Sequence, residues 1–79
     1  MSIDEFLKNF ADQFDETDAS LIKPDTRFRD IDEWSSLNAL AVLNMIGKKY
    51  KVIITADELR RINTIKELYD LVISKKSVK

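Results

Sequence analysis

The sequence predicts an all-α fold, a four-helix bundle of three longer helices and one short third helix, with a long loop between the first two. Three observations carry that expectation. One Gly and one Pro among 79 residues leave little to interrupt helices. Apolar residues recur at i, i+3, i+4 and i+7 in the longer segments. Three Ser/Thr–Glu pairs stand three residues apart where helices would start: Ser2 and Glu5, Thr55 and Glu58, Thr64 and Glu67. No repeat or low-complexity stretch divides the chain, so residues 1–79 read as a single domain.

The first helix is expected from Ser2 to about Gln13 or Phe14, because Ile3, Phe6, Leu7, Phe10, Ala11 and Phe14 share one helical face. A long connection then runs from about Asp15 to Ser35, broken by Pro24-Asp25-Thr26. A loop of this length normally packs or functions. Phe28 and Ile31 are therefore expected to fold back on the core, and one helical turn fits Ala19 to Ile22. The second helix should run from Ser36 to about Lys49. Leu37, Leu40, Ala41, Leu43, Met45 and Ile46 make it apolar on more than one side, so it is central or lines a cavity. Gly47 weakens it, and Lys48 and Lys49 suit its negative end. Tyr50 to Ile54 has strand composition, but no second strand is present to pair with, so an extended buried connection is expected. Thr55 opens a short helix through about Arg61. Thr64 opens the last one through about Lys75, with Ile65, Leu68, Tyr69 and Val72 facing inward. Ser74 to Lys79 reads as a frayed basic tail.

Composition removes several functions. There is no Cys, hence no disulfide, thiolate nucleophile or cysteine metal site, and no His, the commonest general base and metal ligand. The acids are scattered without a paired-carboxylate pattern, so a non-enzyme is expected, with no metal. No apolar run is long enough to span a bilayer, and the opening Met1-Ser2-Ile3-Asp4-Glu5 lacks the basic and apolar regions of a secretory leader. Cytoplasmic residence as a monomer is the resulting expectation. Charge is uneven: residues 1–35 hold ten acids and four bases, whereas residues 36–79 hold four acids and nine bases. That asymmetry either steers partners or is simply a mixed solvated surface. The basic cluster of Lys48, Lys49, Lys51, Arg60 and Arg61 has no base-stacking platform beside it, and the net charge is −1, so nucleic acid is not an expected partner.

The chemistry-bearing feature is Glu33-Trp34-Ser35-Ser36-Leu37, which ends an acidic stretch and opens an apolar helix. A helix N-terminus has unpaired N–H groups and a positive dipole end, so a phosphate ester on Ser36 would be well accommodated. The plain alternative is an N-capping serine; Ser35 can take that role and leave the Ser36 hydroxyl in the first turn, facing water. Trp34 reads either as a loop aromatic packed on the second helix or as a contact surface beside the site.

From Phe28 to Ile73 the order of elements resembles the acyl carrier proteins. A loop Phe28 is followed by Ser35-Ser36-Leu37 opening the second helix, the run Leu40 to Ile46, the extended Val52-Ile53-Ile54-Thr55, Leu59 to Ile62, and Thr64-Ile65 onward. The first helix fits as well. The resemblance implies that Ser36, flanked by Ser35 and Leu37, receives covalent 4′-phosphopantetheine from coenzyme A through a phosphopantetheinyl transferase. It implies acyl groups carried as thioesters on that arm, and acyl-loading and acyl-transfer enzymes as partners. It also nominates Phe28, Leu40, Leu43, Ile46, Ile54, Leu59, Ile62 and Tyr69 as a core able to part for an acyl chain, although an ordinary packed core has the same composition. The third helix, short and weakly anchored, is the part expected to move.

Two departures from the family pattern point away from the housekeeping carrier of fatty acid synthesis. Ser35 stands where the family usually has Asp. Leu37 to Lys49 contains no acid, so docking by charge through that helix should be weak or reversed. A specialised fatty-acid, lipid or polyketide-type pathway is the leading expectation. An aminoacyl or peptidyl carrier of a nonribosomal or ligase system, and an unmodified helical interaction module, are the alternatives.

Overall fold

In the computed structural model, which describes residues 2–77, the chain forms α1 (Ile3–Ala11), α2 (Ser36–Tyr50), α3 (Ala56–Arg60) and α4 (Ile65–Ser77). This is the expected all-α bundle of the acyl-carrier type, with a short third helix. No strand occurs among the described residues; the nearest thing to one is a single antiparallel bridge between Arg27 and Thr64.

α1 starts as its spacing predicts, with Ser2 Oγ accepting the Glu5 N–H at 3.2 Å. It stops earlier than expected, at Ala11. The next residues tighten: the Gln13 and Phe14 amides donate to the carbonyls of Phe10 and Ala11, each three residues back. The tighter turn keeps Phe14 on the buried face. α2 begins at Ser36 with Ser35 as its cap and runs one residue past the expected end. Lys51 then reverses the chain in the left-handed region (φ 59°), a conformation that non-glycine residues adopt sparingly. Residues 51–55 follow without helix or strand, with Val52 and Ile54 buried and Ile53 exposed, as expected for an extended connection.

Gly47 lies inside α2 with no turn to require it. A Cβ built there would meet only the Val52 carbonyl oxygen, at an ordinary 3.9 Å. Gly47→Ala should therefore stabilise the chain by about 0.5–1 kcal/mol, read as a higher urea midpoint at unchanged slope. A lower midpoint would mean that the α2–Val52 contact is tighter than it looks.

α3 carries the full capping box, Thr55 Oγ accepting from Glu58 N–H and Glu58 Oε1 accepting from Thr55 N–H. At α4, Glu67 accepts the Thr64 N–H at 2.9 Å and Thr64 Oγ accepts the Glu67 N–H at 3.2 Å. The expected frayed tail from Ser74 is corrected: α4 continues through Ser77, and Val78 and Lys79 lie outside the described residues. The reason is tertiary. Lys75 donates to the Ile53 carbonyl and the Glu58 carboxylate, and Lys76 donates to the Tyr50 carbonyl, so the last turn is tied to the segment between α2 and α3.

Phe6, Phe10, Phe28, Val42, Ile46, Ile65, Leu68 and Val72 are fully buried and join all the longer elements. Ring contacts run from Phe14 and Phe10 through Trp34 to Phe28. Phe28 and Ile31 pack inward as expected, and a single helical turn forms at Ala19–Leu21. The long loop is also stitched to the start of α4: Phe28 N–H donates to the Asn63 carbonyl, Ile65 N–H to Thr26 and Lys66 N–H to Pro24. One buried polar link joins α1 to α2, Asn9 Nδ2 donating to the Tyr50 hydroxyl at 2.8 Å. Burial in this spot pushes the Tyr50 phenol above its ordinary value.

Candidate functional site

Ser35 and Ser36 are chemically alike and placed differently. Ser35 has an extended backbone, and its Oγ accepts the Asn38 N–H (3.4 Å) while donating to Asn38 Oδ1 (2.8 Å). Asn38 Nδ2 in turn donates to the Gln13 carbonyl, which ties the start of α2 to the end of α1. Ser36 is the first helical residue. It is exposed, and its hydroxyl has no hydrogen-bond partner among the described residues. The Ser36 and Leu37 N–H groups also lack acceptors there, since the first intrahelical donor is Ala39, to the Ser35 carbonyl. No acid occupies the first turn. The turn thus offers a free hydroxyl, two free amides and a positive helix end, without a carboxylate to repel a phosphodiester.

The approach to this serine is braced. The Glu33 carboxylate accepts the N–H groups of Asp15, Glu16 and Thr17 and the Thr17 hydroxyl, at 2.7–3.0 Å. These bonds, the Thr17 hydroxyl first, hold its pKa below the ordinary carboxylate value. Trp34 stacks nearly parallel to Phe10 and tilts against Phe28, with centroids 6.3 and 5.0 Å away. Of the two readings open for Trp34, packing is the one these contacts describe, although its ring also reaches the groove wall.

A groove of about 630 Å³ begins at Ser35 and Ser36 and runs between α2 and α3. Its walls are Phe28, Trp34, Ala39, Leu40, Leu43, Ala56 and Leu59, with Arg29 and Arg60 also among its lining residues. Of the residues nominated as an acyl pocket, Phe28, Leu40, Leu43 and Leu59 line it. Ile46 and Ile54 are buried in the core away from it, Ile62 is half-buried past α3, and Tyr69 lies against Phe6, its ring centroid 5.4 Å away. Leu40 is corrected from core to rim. It is 56% exposed and Leu37 is 78% exposed, because the stripe that continues outward from Ser36 faces solvent. The sequence reading missed Ala39, Ala56 and the two arginines. Ala39 follows from Ser36 by i+3 spacing, but nothing in the sequence marks Arg29 or Arg60 as part of a groove. A second, acid-lined groove of about 590 Å³ lies on the α1–α2 loop and does not include Ser36.

A family model for the phosphopantetheine attachment site matches residues 4–72, nearly the whole chain. The chain belongs to this phosphopantetheine-attachment family. No curated protein and no solved structure gives a significant match. As a member of the family, the chain is a carrier of covalent 4′-phosphopantetheine that interacts with transferases and partner enzymes, and its family is one of carriers rather than catalysts. The features of the first α2 turn fit the phosphodiester end of that group. No helix is long and apolar enough to cross a membrane among the described residues.

Glu58, between the groove and α4, links the carrier's stability to pH. The Lys75 ammonium first, and the Thr55 N–H second, hold its pKa below the ordinary value of 4.5. The folded state therefore binds a proton at Glu58 less readily than the unfolded chain. The stability this contributes is complete above pH 4.5 and is lost as pH falls through the lowered value. Thermal melts from neutral to acidic pH should show the decline, and Glu58→Gln should flatten it. An unchanged profile in the variant would assign the acid sensitivity to the other carboxylates shifted the same way, Glu33, Glu67 and Asp18.

Proposed function

We propose that Ser36 is the attachment residue, and that the chain holds acyl groups for a specialised fatty-acid, lipid or polyketide-type pathway in the cytoplasm. The observation that carries this reading is the division of labour at the start of α2: Ser35 caps the helix, while the Ser36 hydroxyl is exposed and unengaged. An attached phosphodiester at Ser36 would lie beside the free Ser36 and Leu37 amides. When bound, the group supplies a thiol on a long arm, to which acyl cargo is joined as a thioester. The chain's own part is to fix the serine, leave its face open, and offer an apolar groove beginning at its side. That lining, mostly aliphatic and aromatic, favours acyl over aminoacyl or peptidyl cargo. The absence of acids from α2, and Leu37 and Leu40 on its outer face, favour partners that read apolar contact there, unlike those of the housekeeping carriers.

The direct test is intact mass spectrometry after incubation with coenzyme A and a promiscuous phosphopantetheinyl transferase. One added phosphopantetheine, mapped by peptide fragmentation to Ser36, is the expected result. No adduct with several transferases, or an adduct on another residue, would overturn the assignment.

A further inference from the structure

α3 forms one wall of the groove, yet apolar burial does little to hold it. It has five residues, and Leu59 is its one buried side chain. Straps from other elements hold both its ends. Arg29, on the loop before α2, donates from Nη2 to the Leu59 carbonyl at 2.9 Å. From Nη1 it donates to the Ile62 carbonyl at 2.8 Å and to Asn63 Oδ1 at 3.2 Å. All three acceptors are neutral. Leu59 O lies in the last turn of α3 and Ile62 O just beyond it, where a helix end favours a cation. A guanidinium can hold this fork of acceptors, whereas an ammonium cannot span them in one plane. The head group is held from a second side as well, since the guanidinium carbon lies 4.9 Å from the centre of the Phe28 ring. At the other end, Lys75 grips the Ile53 carbonyl and the Glu58 carboxylate.

Below the groove the interior is closed: Val42 and Ile46 are fully buried and Leu59 nearly so. The groove follows α2 only from Ser36 to Leu43, about 10 Å, less than the length of an extended sixteen-carbon chain. For such a chain to pass inward there, α3 would have to swing away from α2, a motion that the Arg29 bonds oppose. We propose that Arg29 is a specificity-determining residue for cargo length. With its three bonds made, α3 stays in place and the carrier shelters short cargo in the groove alone. Long chains stay in solvent unless the guanidinium releases the end of α3. This rests on Ser36 bearing the arm.

The test has two arms. In the unmodified chain, residue-resolved amide exchange should show α3 opening at least tenfold more often in Arg29→Ala, with α1, α2 and α4 unchanged. Arg29→Lys should recover only part of the difference. In the second arm, wild type and variant are loaded with butanoyl- or hexadecanoyl-phosphopantetheine, loading is checked by intact mass, and thioester cleavage by hydroxylamine is timed. In wild type the hexadecanoyl thioester should be cleaved as fast as a free one, and in Arg29→Ala at least threefold more slowly, with the butanoyl thioester little changed. Hexadecanoyl cargo already protected in wild type, or α3 exchange indifferent to Arg29, overturns the proposal. If Arg29→Ala does not fold, Arg29→Gln replaces it in both arms. Failure to load at all would defeat the Ser36 assignment instead, and the exchange arm would still decide whether Arg29 latches α3.

Discussion

Ser36→Ala should gain no phosphopantetheine, while Ser35→Ala should gain it as wild type does, and the two should rank in the opposite order for stability. The Ser36 hydroxyl bonds to no described residue, so removing it deletes the proposed attachment atom and little else. The Ser35 hydroxyl satisfies Asn38 at the helix start, so its loss should cost roughly 0.5–2 kcal/mol, typically about 1. Intact mass and a melting curve on the same two samples therefore cross over: one variant is stable and unmodifiable, the other modifiable and less stable. If Ser36→Ala is both modified and destabilised, the roles of the two serines are exchanged.

Phe10→Ala should be among the most destabilising single truncations. Phe10 is fully buried, lies 5.4 Å from Phe14 between ring centroids, and stacks within 4° of parallel on Trp34. Emptying such a site costs about 3–5 kcal/mol, through lost transfer energy and the cavity left behind. Folded domains hold roughly 5–15 kcal/mol in total, and small ones lie toward the lower end. At about 4–8 °C per kcal/mol for a domain of this size, the melting temperature should fall by tens of degrees. The chain has one tryptophan, and it contacts Phe10, so its fluorescence and far-ultraviolet circular dichroism should report the loss together. A shift of only a few degrees would show that α1 repacks around the gap. Because Trp34 leads straight into Ser35, the same variant should also be modified more slowly wherever its unfolded fraction is appreciable.

What could be read in advance was local. The i, i+3, i+4 spacing of Phe6, Phe10 and their neighbours, and the Thr–Glu pairs at Thr55 and Thr64, are contained within single helices, and both kinds of signal found their elements. Phe28 and Ile31 were legible as inward-facing because a long loop has few other uses for large apolar groups. The misreadings involve partners distant in sequence. α4 outlasts its pattern because Lys75 and Lys76 find acceptors around Tyr50 to Glu58. The reversal at Lys51 had no glycine to announce it. Leu40 looked like core because it is apolar, and only the packing of α2 shows that its stripe faces out. At the site, the two adjacent serines were visible, and so was the possibility that Ser35 is the cap. The three acceptors of Arg29 lie 30–34 residues away, and no local pattern encodes them.

The Glu33 carboxylate gathers three amides and a hydroxyl from the turn after α1 and so completes the loop before any partner arrives. A partner enzyme that touched this loop would therefore meet it already ordered. The ordering entropy that a slack segment would lose at every encounter has already been lost once, during folding. Weak individual contacts with a partner enzyme are then compatible with binding, because little of the affinity goes into shaping the chain.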